Sequence, residues 1–326
     1  MEPLEIWSSD FDVTFPAEVI RQFRSLCLQF RPDVIVLESL PLFNLVVVAK
    51  ECARAVIIDL HNVESDLVAQ EVGLNQNLEA VLRIEAQAKR IRALEQRATS
   101  LADVAWVCSS VDRDRLVRNG TCERQIAVVP NGIPRAESVQ PRPQRNHDRS
   151  TPVLLFLAHL GYPPNIDAAL FLVELMPVLW RHLADARLIL AGRNPHPAVV
   201  SKSKPGKIDV IADPGSTSSL LLSADLAVMP LQRGGGTRIK ALEAMAWGLP
   251  IVATARAVEG LQLQDGVHVS IAETRSEFVA AICALCVDSV QYESQYLTAQ
   301  KHLMTCFGPE VVRAAVYGGL RQALSN

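Results

Sequence analysis

The chain has 326 residues, 49% hydrophobic and 21% charged, with a formal net charge of −3. That composition excludes a largely disordered chain, and the absence of a basic field excludes a nucleic-acid backbone as the expected partner. Single cores rarely keep growing beyond ~250–300 residues, so the length predicts two domains.

The first residues, Met-Glu-Pro-Leu-Glu, are acidic and lack the basic start and continuous apolar core of a secretory signal. The longest apolar region, residues 34–49, is broken by Glu38, Pro41 and Asn44 and is too short to span a bilayer. A cytoplasmic protein is expected, with peripheral contact at the cytoplasmic membrane face left open. Residues 18–30 have a helical pattern. Residues 33–37, 55–60, 102–108 and 126–129 read as buried strands, and residues 78–101 as a long helix. Within that helix, residues 83–97 are net basic. Two readings stand: a membrane-facing surface, or an ordinary solvated face, which the interspersed glutamates favour.

Residues 130–152 are polar, rich in proline and aperiodic, which marks a linker and a domain boundary. A second alternating series follows. Strands are predicted at 152–157, 186–191, 225–230 and 250–254, and helices at 165–182 and 237–247. Near-continuous apolar strands between helices predict parallel sheets covered on both faces. Ligands of such sheets bind at the C-terminal strand ends. The seven cysteines form no disulfide framework. Cys283 and Cys286 have CxxC spacing in an apolar helical run, and read as two small core residues rather than half of a zinc site.

The chemistry concentrates in residues 234–248, Gly-Gly-Gly-Thr-Arg-Ile-Lys-Ala-Leu-Glu-Ala-Met-Ala-Trp-Gly. Three glycines between a strand and a helix let backbone N–H groups approach an anion. Arg238 and Lys240 oppose the helix dipole unless a polyanion such as a diphosphate sits there. Ile239, Leu242 and Ala246 are predicted to point inward, with Lys240, Glu243 and Trp247 on another stripe. Glu243 could accept hydrogen bonds from a ribose diol. The plain alternatives are a flexible glycine turn and an exposed Lys240–Glu243 pair.

This stretch resembles the donor-site signature of the group 1 (GT4-type) retaining glycosyltransferases of the GT-B fold. Four other segments match in family order: 59–65 (Asp-Leu-His-Asn-Val-Glu-Ser), 128–134 (Val-Val-Pro-Asn-Gly-Ile-Pro), 156–168 (Phe-Leu-Ala-His-Leu-Gly-Tyr-Pro-Pro-Asn-Ile-Asp-Ala) and 188–195 (Leu-Ile-Leu-Ala-Gly-Arg-Asn-Pro). The resemblance implies an α/β protein of two Rossmann-like domains facing a cleft. Residues 1–135 would form the acceptor side and 150–306 the donor side, with a helix over 309–324 crossing back to the first domain. The opening strand and Gly-rich loop of the family have no counterpart in residues 1–20, so the first domain is expected to be incomplete.

The resemblance also assigns residues. Gly234, Gly235, Gly236, Thr237, Arg238, Lys240, Glu243, Gly161 and Arg193 would lie at the donor. Glu243 matches the second glutamate of the family's E-x7-E motif, and Gly235 stands where the first would be. The phosphate-clamping cations that many relatives carry after the first strand of this domain are replaced by residues 159–164, His-Leu-Gly-Tyr-Pro-Pro. Arg238 and Lys240 are expected to take over charge neutralisation. His61 matches the histidine near the reacting centre; a structural histidine is the alternative. Asp59 has the same ambiguity, and Glu64 reads equally as a helix cap. The implied partners are a nucleoside-diphosphate sugar as co-substrate and a glycan, lipid-linked or small-molecule acceptor. No cofactor and no metal are expected, since no Asp-x-Asp or histidine cluster stands nearby. Two further readings share the donor site: a homologue that binds nucleotide sugar without transfer or serves as a subunit partner, and a sugar-nucleotide epimerase.

Overall fold

Four short β-branched runs in the first third of the chain pair in sequence order. In the computed structural model, which describes residues 11–133, 151–236 and 238–325, β1 (Val34–Glu38), β2 (Ala55–Leu60), β3 (Val104–Val107) and β4 (Ile126–Val128) form one parallel sheet in that order. The expected linker lies largely in residues 134–150, outside the described residues, as do residues 1–10 and Thr237.

The chain divides into two compact units. The first comprises residues 1–131, 235–237 and 310–326, and the second residues 132–234 and 238–309. In the first unit the helices are α1 (Ala17–Phe30), α2 (Val46–Cys52), α3 (Glu64–Ala69), α4 (Leu78–Leu101) and α5 (Ser110–Arg118). Unbroken strand order combined with right-handed crossovers sends the connecting helices to one face. The core agrees: Val56, Ile58, Leu60, Ala105 and Val107 pack with residues of α2, α4 and α5. The alternate residues, Ala55, Ile57, Val104 and Trp106, face the other way. A different element covers them, the helix Pro309–Ser325 (α12), through Val316, Leu320 and Ala323. Gly319 brings that helix down onto Trp106; a Cβ there would lie 2.4 Å from the indole Nε1.

The second unit holds β5 (Val153–Leu157), α6 (Pro163–Leu179), β6 (Arg187–Gly192), α7 (Pro197–Val200), β7 (Ile208–Ala212), α8 (Ser218–Ser223), β8 (Leu226–Met229), α9 (Ile239–Ala246), β9 (Ile251–Ala253), β10 (Ser270–Ile271), α10 (Arg275–Val287) and α11 (Ser289–Phe307). Its six strands are parallel in the order β10-β9-β8-β5-β6-β7. Two of these strands were not predicted. β7 is an edge strand whose polar Asp209 takes a hydrogen bond from Arg187 on the next strand (2.8 Å). β10 is only two residues long and exists through its pairing with β9. Both alternating faces of β5 are buried, with Leu154 and Phe156 at 0% and Leu155 at 2% exposure. One continuous core results.

Candidate functional site

In the second unit the strand order reverses between β5 and β8. From β5 the chain proceeds outward to β6 and β7, and from β8 to β9 and β10 on the other side. Such a switch point leaves a crevice at the C-terminal strand ends, where open α/β sheets hold ligands. Two of the segments singled out in the sequence follow these adjacent strands: the turn with Gly161 after β5, and the glycine run after β8.

The glycine run is tethered before it begins. Thr254 Oγ1 donates to the Leu231 carbonyl (2.5 Å), and Arg233 pairs with Asp167 (2.6 Å). Gly234 has φ +136°, and a Cβ on it would meet the Arg238 guanidinium at 2.7 Å. Glycine is therefore required by backbone conformation and by a neighbouring side chain, in addition to any approach of a ligand. The helix starts two residues later than predicted, at Ile239, so Arg238 occupies the N-cap position. Its side chain is buried, and Nε donates to the Arg256 carbonyl (3.3 Å). The apolar stripe also differs from expectation. Ile239 is 49% exposed, while Ala241, Leu242, Met245 and Ala246 are buried.

Lys240 is not a fixed charge at an open helix end. Nζ donates to Asn165 Oδ1 (2.8 Å) and stands 5.2 Å from the Phe156 ring centroid. Burial, reinforced by the neighbouring Arg238 charge, pulls its ammonium down to about 7. Asn165 in turn donates to the His159 carbonyl (2.9 Å), so Lys240 is linked to the turn carrying Gly161. Leu160 N–H in that turn donates to the Arg193 carbonyl (2.9 Å), joining it to the end of β6. Arg193 is exposed there. Half-buried Glu243 accepts from Thr217 Oγ1 (3.0 Å), so Lys240 and Glu243 each have a partner elsewhere in the unit. Cys283 and Cys286 lie on α10 against the core, and burial raises the Cys283 thiol above its usual range. Among the described residues no group of three or more His, Cys, Asp or Glu could hold a metal ion.

In the first unit, His61 follows β2, and only Asn62 and Val63 separate it from α3. The imidazole is half exposed, with Nδ1 3.8 Å from Asp59 Oδ1. Asp59 aligns with Glu38 on the neighbouring strand. Burial raises the Asp59 carboxyl, His61 opposes the shift, and Glu38 adds to it. Glu64 is the first residue of α3 and accepts from Asn62 Nδ2 (3.1 Å). Burial raises its carboxyl also, against that hydrogen bond and the His61 charge.

Sequence reasoning missed Glu95. It was placed on a solvated face of α4, yet it is 0% exposed. Its two oxygens accept from Ser65 N (3.0 Å) and Ser65 Oγ (2.6 Å). A signal was present: Ile84, Ala88, Ile91, Glu95 and Ala98 recur at three- and four-residue spacing, so the carboxylate interrupts the inward stripe.

Residues 151–288 match the family model described as glycosyl transferases group 1, and residues 5–132 match the glycosyl transferase 4-like domain. The chain belongs to the group 1, GT4-like glycosyltransferases. Solved structures agree on a GT-B fold for this family member. Sucrose-phosphate synthase from Thermosynechococcus elongatus superposes with a TM-score of 0.72 at 16% identity, over 95% of this chain and 78% of that one. A point mutant of S. aureus TarM, in complex with fondaparinux, α-GlcNAc-glycerol and UDP, gives 0.71 at 11%, over 92% of this chain. Anabaena HepE, in complex with UDP and glucose, gives 0.64 at 17%, over 94% of this chain and 80% of that one. The chain spans 58% of the length of TarM. No curated protein sequence matches it. Among the described residues, no helix of this family member is long and apolar enough to cross a membrane.

Proposed function

We propose that the protein transfers a sugar from a nucleoside-diphosphate sugar to an acceptor hydroxyl on a glycan, a lipid-linked glycan or a small molecule. The transfer proceeds with retention and uses neither metal nor other cofactor. The observation that carries this reading is the position of the Gly161 turn and the glycine run at adjacent strand ends, β5 and β8, where the strand order reverses. The UDP bound in TarM and HepE supports it.

On this reading, the backbone amides of the glycine turn meet the diphosphate. Arg193, Arg238 and Lys240 offset the charge that grows on the departing group. Because the Lys240 ammonium sits near neutrality in the free protein, an arriving polyanion draws a proton onto it. Glu243, now held by Thr217, accepts from the ribose diol. His61 positions the acceptor or the transferred sugar, with Asp59 orienting its ring. Where the acceptor is lipid-linked, the exposed Arg83, Lys89, Arg90 and Arg92 of α4 would meet anionic headgroups.

Calorimetry with UDP, GDP and ADP tests the donor site. At least one is expected to bind, and Glu243→Ala to weaken that binding; silence with all three would sink the assignment. Release of nucleoside diphosphate in the presence of an acceptor pool is expected to collapse in His61→Ala. Binding without any release would favour a nucleotide-sugar-binding homologue instead.

A further inference from the structure

Glu95 takes no part in the chemistry proposed above, yet it is among the most completely buried charged side chains of the first unit. It lies on α4 and reaches across 30 positions of sequence to α3. Each of its carboxyl oxygens accepts from Ser65, one from the amide and one from the hydroxyl. Asn119 Nδ2 also donates to Ser65 Oγ (3.4 Å), so the hydroxyl is held from two sides.

The receiving helix is weak by itself. α3 is six residues long, and its N-cap residue, Val63, offers no side-chain cap. Isolated helices of that length do not persist in water. The missing cap is supplied from outside, by Glu95. A second tie comes from α5, where Arg115 Nε lies 3.4 Å from Asp66.

We propose that Glu95 is a positioning residue for His61: by clamping the first turn of α3 it holds the three-residue turn that presents the imidazole. One end of that turn is already fixed. Asp59 and Leu60 pair with Trp106 and Val107 in the sheet, and the Cys108 thiol donates to the His61 carbonyl (3.7 Å). The other end has the buried Val63 and the Glu95–Ser65 pair. Removing the pair leaves the turn fixed at the strand and weakens its hold at the helix, where the Arg115–Asp66 tie remains. Stability alone does not call for a carboxylate here. A buried charge is costly to desolvate, and a Ser, Thr, Asp or Asn at position 63 would cap α3 locally. Burial, with the Glu64 charge adding to it, pushes the Glu95 carboxyl up to about 7 against the hydrogen bonds from Ser65 and the Glu64 amide. What the carboxylate provides is a two-point geometric lock on one residue next to the histidine turn.

The inference rests on the reading of His61 as a residue at the transfer site, and two measurements on the full chain separate them. The first is hydrogen exchange. In Glu95→Leu the Ser65 amide and residues 61–66 are expected to exchange about tenfold faster, while 188–192 in the second unit are unchanged. In Glu95→Gln they stay as in the wild type, because an amide can accept from Ser65 N and donate to Ser65 Oγ. The second is turnover with a sugar nucleotide. Glu95→Leu is expected to lose about tenfold in kcat, with donor KM within about twofold, and Glu95→Gln to restore it. Ser65→Ala keeps the test open if Glu95→Leu fails to fold, with a smaller loss in the same direction. Unchanged exchange at Ser65 in Glu95→Leu overturns the clamp. A loosened turn with unchanged kcat overturns positioning, as does a Glu95→Gln variant as impaired as Glu95→Leu. Absence of nucleotide binding and of turnover in the wild type strikes the transferase reading instead, and the exchange result still decides the clamp.

Discussion

The two units begin a strand with the same device and then diverge. Residues 102–105 read Ala-Asp-Val-Ala and residues 224–227 Ala-Asp-Leu-Ala. In each, the aspartate accepts from a backbone N–H of the neighbouring strand: Val56 to Asp103 (2.7 Å) and Val153 to Asp225 (2.8 Å). Each aspartate N–H also donates back to the same residue's carbonyl, at 2.9 and 2.8 Å. What differs is strand order. The second unit reverses between β5 and β8 and so makes a crevice by topology. Among the described residues the first runs β1-β2-β3-β4 without reversal and has no such switch point. Where topology supplies no crevice, a functional side chain has to be presented by a turn and held by other side chains. On the proposed reading that is the situation of His61, with ties from Glu95, Arg115 and Cys108 around its turn.

The largest expected effect tests how the first sheet is closed. Among the described residues its second face is covered by one helix, α12, lying close on Trp106. Gly319→Leu places a Cβ 2.4 Å from the indole Nε1, 2.9 Å from Cε2 and 3.2 Å from Cζ2. The helix must lift, uncovering Ile57 and Val104. Overpacking of this kind costs about 1–3 kcal/mol, and the loss should fall on the first unit alone. Hydrogen exchange of residues 55–60 against 188–192 reads it directly. Equal loss of protection in both would show that α12 is not what closes this sheet.

The second test uses protons, and the units should respond with opposite sign. Lys240 titrates at about 7 when folded against 10.5 for an exposed lysine. Between those values the unfolded chain binds the extra proton, so stability rises with pH from about 7 to about 10.5. Glu95 titrates at about 7 folded against 4.5 exposed. There the folded chain holds the extra proton, so stability falls as pH rises from about 4.5 to about 7. Each group contributes a slope of about 1.4 kcal/mol per pH unit at most within its window. Denaturant midpoints measured across pH should lose the alkaline slope in Lys240→Met and the acidic slope in Glu95→Gln. A slope that survives its own substitution belongs to another group.

How much of this was legible before folding depends on sequence distance. The four strands of the first unit and the helix Leu78–Leu101 could be read because each is a local pattern of near-continuous or periodic apolar residues. β10 could not, since two residues carry no period and their strand character comes from β9. The glycine run was recognisable from composition alone. The state of its cations was not, because Arg238 is fixed by the Arg256 carbonyl and Lys240 by Asn165, 18 and 75 positions away. Glu95 lies between. Its inward placement was legible in the spacing of Ile84, Ala88, Ile91 and Ala98, while its partner Ser65 was not.

The smallest expected effect concerns the first turn of α9, where the sequence pattern and the structure disagree about direction. Ile239 was expected inward with Leu242, yet it is 49% exposed and Leu242 is 0% exposed. The contrast within one helix makes the pair informative. Ile239→Ser exchanges two residues of similar helix propensity at an exposed first position, so stability should change by no more than about 0.5 kcal/mol. Leu242→Val removes one methylene from a fully buried side chain, which should cost about 0.5–1.5 kcal/mol. Equal losses in the two variants would mean that α9 begins earlier and turns Ile239 into the core. Arg238 would then re-enter the first turn, and the N-cap position described for it would have to be given up.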